Sequence, residues 1–312
     1  MQQLINGIML GSIYALIALG YTMVYGILRI INFAHGDILM VGALTTLSTM
    51  NMLASHFPAL SMLVCLILAL PISMAVSALL AMAVERFAYR RLRNAPRLAP
   101  LISGIGVSVL LQTIAMIIWT RNPLMFPQVL SMAPIAVTAG SEGHPPAIIT
   151  VTGIVTVVLA VVVMLGLWLL VEFTRLGRGM RAVAENPRVA SLMGVNPNRI
   201  ISLTFAIGGI FATLAGVMMA SNYGTANFSM GFLPGIKAFT AAVLGGIGNI
   251  RGAMLGGIML GIIEALGSGY LGELTNGVLG SNYQDIFAFI VLILVLVFRP
   301  AGILGERVAH RA

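Results

Sequence analysis

Arg29, Asn32, His35 and Asp37 fall within nine positions of the stretch GYTMVYGILRIINFAHGDILMVGAL, between two runs apolar enough to lie in lipid. Polar groups placed there either close a turn between helices or line a path for something polar. Asp37 immediately precedes ILMVGAL and is expected to cap that helix, its carboxylate accepting from the first free N–H groups and favoured by the helix dipole. Arg29, Asn32 and Gly36 would share one face if the first helix continued through them. The segment therefore reads either as a plain capped turn or as part of a gate, with Asn32, His35 and Asp37 in a translocation path. Glu264 lies inside the apolar run GIMLGIIEAL, where a carboxylate costs ~2.5–3.5 kcal/mol even on a lenient insertion scale. It is expected to face protein or water and to bind an ammonium in passing, pair with an arginine, or hold a proton. Asn249, which with Arg251 interrupts AAVLGGIGNIRGAMLGGIMLG, is a further candidate for the path.

Other chemistries find no support. His35, His56, His144 and His310 are scattered, with no His-x-x-x-His or Glu-x-x-His pair to hold a metal. Cys65 stands alone in LVCLI, so thiolate metal sites and internal disulfides are excluded and a buried apolar filler is expected. Ser103 and Ser108 lie in helical text, where serine usually serves packing, and no nucleophile pairs with a base. The only lysine is Lys237, so no G-x-x-x-x-G-K-[ST] phosphate loop exists. If ATP drives this chain, another chain hydrolyses it.

The elements that must position these residues are membrane helices. Hydrophobic residues make up 59% of the 312 and charged residues 8%, with a mean hydropathy of +1.02, against roughly 25% charge in a soluble domain. Spanning runs are expected at about 4–27, 38–54, 59–84, 98–119, 147–171, 200–220 and 252–271, with two shorter ones near 236–250 and 285–298. This is an all-α polytopic bundle of eight or nine crossings, one transmembrane domain over 1–312 with no room for a soluble domain. A cleavable signal peptide is not expected, and the first helix should act as the insertion signal.

Arginines set the orientation. Arg86, Arg90, Arg91, Arg93 and Arg97 form one cluster, Arg175, Arg178, Arg181, Arg188 and Arg199 a second, and Arg299, Arg307 and Arg311 a third. All three belong inside. With nine crossings Arg29 and Arg251 also fall inside, Glu142, Glu273 and Asp285 outside with Arg121 and Lys237, the N-terminus outside and the C-terminus in the cytoplasm. The pI of about 10.4 then reflects topology and anionic lipid headgroups, not nucleic acid.

The second arginine-rich loop, 174–199, contains a delimited short helix. Asn186 then Pro187 reads as N-cap and first helical position, and Gly194 as the left-handed residue that ends the helix. Over 187–193, Val189, Leu192 and Met193 fall at i, i+3, i+4 and make an apolar face, while Arg188 and Ser191 point elsewhere. A helix this short is marginal alone. It should either lie on headgroups with its arginines paired to lipid or dock into a partner's groove.

Gly248 and Gly252, Gly252 and Gly256, and Gly257 and Gly261 are small-x-x-x-small pairs, suited to close helix approach or to contact between substrate and backbone. GIMLGSIYAL at 7–16 and GIMLGIIEAL at 257–266 agree at eight of ten positions and would run in opposite directions, as an inverted repeat requires. In the outer loop 120–146, NPLMFPQ and GHPP break any long helix; Met125 and Phe126 could meet a binding protein or dock on the chain's own surface.

The strings LINGIMLGSIYALIALGYTMVYGILRIINFAHGDILMVGA, ISGIGVSVLLQ, GRGMRAVAENPRVASLMGVNPNRIISLTFAIGG and KAFTAAVLGGIGNIRGAMLGG together resemble the LivH-type permease subunits of bacterial branched-chain amino acid ABC importers, over nearly the whole chain from Leu4 to Gly305. The resemblance implies an inner-membrane heterodimer with a second, similar permease, two cytoplasmic ATPase subunits that bind ATP and Mg, and a periplasmic binding protein delivering leucine, isoleucine or valine. This chain itself would bind no cofactor. The resemblance also implies that the helix at Pro187 to Met193, with Arg181, Glu185 and Gly194 flanking it, is the coupling helix that inserts into an ATPase. Sister permeases for urea or short amides share much of this text, and an ion-coupled secondary carrier is the alternative from another class.

Overall fold

The computed structural model describes residues 1–93, 95–96, 98–130, 133–137, 146–274, 283–299 and 302–305. Arg97, Glu142, His144, Arg307, His310 and Arg311, and the side chain of Glu273, lie outside the described residues.

Among the described residues, seven helices are long and apolar enough to cross a membrane: α1 Gln2–Leu28, α2 His35–His56, α3 beginning at Met62, α4 Leu98–Ile118, α5 Val151–Phe173, α8 Pro197–Tyr223 and α10 Ile250–Leu274. Their positions match the seven clear runs. The two short runs become α9 Phe232–Gly245 and α11 Gln284–Phe298. At 1.5 Å per residue, α9 is only ~21 Å long. Between α5 and α8 lie α6 Arg175–Glu185 and α7 Pro187–Leu192.

Hydroxyl and amide caps set several starts. Thr150, Thr174 and Asn196 each accept from the N–H three residues on, opening α5, α6 and α8. Polar expectation fails at α2. That helix begins at His35, two residues before Asp37, because a turn at Asn32–His35 supplies its first backbone bonds; no side chain caps it. Nor does α1 continue through the polar cluster: Arg29 takes the left-handed conformation at φ 53° and stops it. α3 ends differently, passing from Val84 into a π turn at Glu85–Tyr89 and a 3-10 turn at Arg90–Leu92.

The interior is α1, α2, α8, α9 and α10. α3, α4 and α5 turn Leu79, Ile117 and Val162 outward, as lipid-facing helices must. α1 and α10 form the most extensive pair, crossing antiparallel at glycines. A Cβ on Gly261 would lie 2.2 Å from the Gly11 backbone nitrogen, one on Gly257 2.4 Å from Ala15 Cα, and one on Gly7 2.7 Å from Ile262 Cα. The two look-alike segments, 7–16 and 257–266, are thus the two sides of one contact. Gly252 and Gly256 meet Gly245 and Ala241 of α9 in the same way.

Neighbouring contacts sort the connections into two ends. At one, α1's end, α5's end, α6 and α10's start surround a small cavity holding Arg181; α3's end meets α8's start; and Arg251 lies over Trp168 of α5, 5.2 Å from the ring centroid. At the other, Gln2 bonds Ile148, and two small antiparallel ladders form: β1 Leu124–Met125 with β4 Thr225–Ala226, and β2 Pro134–Ala136 with β3 Ile148–Thr150. The described arginines gather at the first end, Arg121 excepted. In the loop that follows α4, Phe126 is buried against the chain's own surface while Met125 is exposed.

Candidate functional site

α7 stands out from the arginine-rich end as a separate, capped element. Asn186 Oδ1 accepts from Arg188 N at 3.0 Å and Val189 N at 3.2 Å, Pro187 occupies the first turn, and Gly194 at φ 84° closes the exit. Ala190 is its buried side. Val189, Leu192 and Met193 are 53%, 86% and 80% exposed, so the apolar face is on the surface. Arg181 on α6 donates to the Val171 and Glu172 carbonyls at the end of α5, tying the platform to that helix. Glu185 is exposed. Beside the helix runs a groove of about 510 Å³ lined by Arg175, Arg178 and Arg199.

A cluster that motif reading passed over ties this platform to α3. Glu85, buried in the π turn, accepts from Arg90, Arg93 and Ser202, and Arg93 donates to Asn198 Oδ1 at 2.7 Å. Ser202 and Asn198 lie in the first two turns of α8, immediately after α7. The signal was present in ERFAYRRLR, one acid among four arginines at a helix end.

Asn32, His35 and Asp37 are all buried, each against a different neighbouring element. Tyr89 donates to Asn32 Oδ1 at 3.0 Å, Gln112 of α4 donates to Asp37 Oδ1 at 2.9 Å, and the His35 ring occupies the space a side chain on Gly20 would need. Gly36 meets the Gly231 carbonyl from before α9. The turn at Asn32 and the first residues of α2 thus meet α1, α4, the start of α9 and the end of α3. None of the three lines a described cavity. Asn249 makes its hydrogen bonds elsewhere. It accepts from Gly252 N and donates to the Leu304 carbonyl, capping α10 and holding the chain's last described turn.

Glu264 is fully buried, and its partner is the lone lysine. Lys237 Nζ lies 2.6 Å from Glu264 Oε1 and 2.5 Å from Asp285 Oδ1. Tyr14 donates to Glu264 Oε1 at 3.2 Å and offers its ring to the ammonium, 5.7 Å away. Of the partners expected for Glu264, an arginine is replaced by a lysine 27 positions away on α9, itself 6% exposed. Lys237 and Asp285 also line a cavity of about 660 Å³ with Leu10, Ile13, Met219 and Leu233. The same wall carries Tyr223, Asn227 and Ser229, placing it at the end with the β1–β4 ladder.

Residues 3–296 match the family described as the branched-chain amino acid transport system permease component. The high-affinity branched-chain amino acid transport permease protein BraD of Pseudomonas aeruginosa is 45% identical over 98% of this chain and 96% of its own length. The corresponding LivH of Escherichia coli is 42% identical over the same shares. The solved PsaBC of Streptococcus pneumoniae in complex with Fab covers 96% of this chain and 90% of that one, at 12% identity and a TM-score of 0.43. By the extent of its match to that family model and to these permeases, the chain belongs to the permease-component family of branched-chain amino acid transport systems.

Proposed function

We propose that this chain is the transmembrane permease subunit of an ATP-driven importer of leucine, isoleucine and valine in the bacterial inner membrane. It works with a second homologous permease, two cytoplasmic ATPases and a periplasmic binding protein. ATP and Mg belong to the ATPases, and this chain binds no cofactor. The arginine-rich end, with the C-terminus, faces the cytoplasm by the positive-inside rule.

The observation that carries the reading is the exposed apolar face made by Val189 and Leu192 of a six-residue helix and by Met193 at its C-cap. A soluble loop gains nothing by holding three large apolar side chains in water; a groove in a partner would bury them. Arg178 and Arg199 beside it suit an acidic rim on that partner. Closure of the ATPases would push α7, and the Glu85 cluster would pass that push from α8 to α3, giving alternating access. An ion-coupled carrier would need interior acids free to load a cation, whereas Glu85, Glu264 and Asp37 are each engaged by neighbouring side chains.

Leu192→Asp sets a charge on the docking face without touching the bundle. ATP-driven leucine uptake by the assembled importer should be abolished while the chain still inserts and folds. Normal uptake by that variant sinks the coupling role.

A further inference from the structure

The cavity beside Lys237 holds both signs of charge on one wall, and the two charged groups are held unequally. Lys237 is buried and anchored from behind by Glu264 at 2.6 Å, so its position is fixed. Asp285, in the first turn of α11, meets the same ammonium at 2.5 Å from the cavity side and is 45% exposed. Two carboxyl groups to one ammonium is a balance that welcomes a further cationic group. The rest of the wall includes Leu10, Ile13, Met219, Met230 and Leu233, and about 660 Å³ is the size of a small-molecule site.

We propose that this cavity receives an aliphatic α-amino acid by ion-pair exchange. The substrate carboxylate takes the place of Asp285 on the Lys237 ammonium, Asp285 turns to the substrate ammonium, and the aliphatic side chain lies on the apolar wall. This rests on the importer reading and adds to it the chemical class that the chain itself reads. The exchange leaves every charge paired, which is the condition for holding charge in a poorly hydrated site. A carboxylate lacking an amine would displace Asp285 and leave it unpaired. An uncharged amide such as urea has neither group and cannot open the pair, so the cavity selects zwitterions even when a binding protein offers something else.

The test uses the complete importer in liposomes, with leucine uptake measured at saturating binding protein. Losing one charge-assisted bond to the substrate should lower the Asp285→Asn rate by about tenfold to a hundredfold, and Asp285→Glu, which keeps the charge, should recover most of it. An Asp285→Asn complex that assembles and transports at the parental rate overturns the proposal. If that variant fails to assemble, Leu233→Trp decides, since it fills the cavity without touching an ion pair: uptake reduced about tenfold supports the site, and parental uptake overturns it. A parental complex that carries urea and no leucine overturns the importer reading, and this inference with it. Leucine uptake indifferent to both substitutions overturns the inference alone.

Discussion

Lys237 and Glu264 show what a sequence states about a buried charge and what it withholds. Glu264 is costly alone in an apolar helix, so it requires a partner, and that much is legible; Lys237, read as lying outside with Arg121, is instead buried in α9. That they are each other's partner is not legible, because 27 positions and a turn separate them and only the packing of α9 on α10 brings them to 2.6 Å. Breaking a buried pair by removing one member costs about 3–5 kcal/mol, whereas replacing both with apolar residues is often close to neutral. Lys237→Met should therefore lower the unfolding midpoint of the purified protein markedly, and Lys237→Met with Glu264→Met should regain much of the loss. A double variant less stable than the single one would mean the pair is not the main reason the lysine is tolerated. Asp37 and Asn249 differ in another way. Spacing suggested a cap for Asp37, which instead takes a bond from α4, while Asn249, singled out for the path, also serves as the cap of α10. A short polar side chain beside a helix start can serve either purpose, and the choice depends on a neighbour that the sequence does not locate.

Elements were far more legible. Seven spanning runs, two short ones and a loop helix bounded by Asn186, Pro187 and Gly194 all follow from apolar length and end chemistry, which are local. What local pattern could not say is which glycines touch. Gly261 and Gly106 look alike in sequence, yet a Cβ at 261 would meet the backbone of α1 at 2.2 Å and one at 106 would meet nothing within 4 Å. Gly261→Ala should force α1 and α10 apart and cost about 1–3 kcal/mol or more, while Gly106→Ala and Gly166→Ala should be neutral or stabilising by up to about 1 kcal/mol through helix propensity. Melting curves in detergent for the three variants check this, and equal losses would contradict the crossing. The small ladders β1–β4 and β2–β3 were not foreseen, since strands of two or three residues carry no periodicity to read.

For the whole molecule, arginine placement gives an orientation and the contacts give the alternation, and the two agree in putting α7 and the β1–β4 ladder at opposite ends. With Cys65 replaced by Ala, a membrane-impermeant thiol reagent added to intact cells should label Met125→Cys and leave Leu192→Cys untouched until the membrane is opened. The reverse pattern would invert the protein. The bundle also has an order of completion. Ile303 and Leu304 donate their backbone N–H groups to the Leu244 and Gly245 carbonyls, and Asn249 holds Leu304 in place. Those carbonyls end α9, which has no other helix turn to satisfy them. During synthesis α9 leaves the ribosome more than fifty residues ahead of the segment that finishes it. The short helix α9 must therefore wait, half satisfied, beside α10 while α11 is made, and the turn after α11 acts as a seal on a membrane protein assembled from its first helix outward.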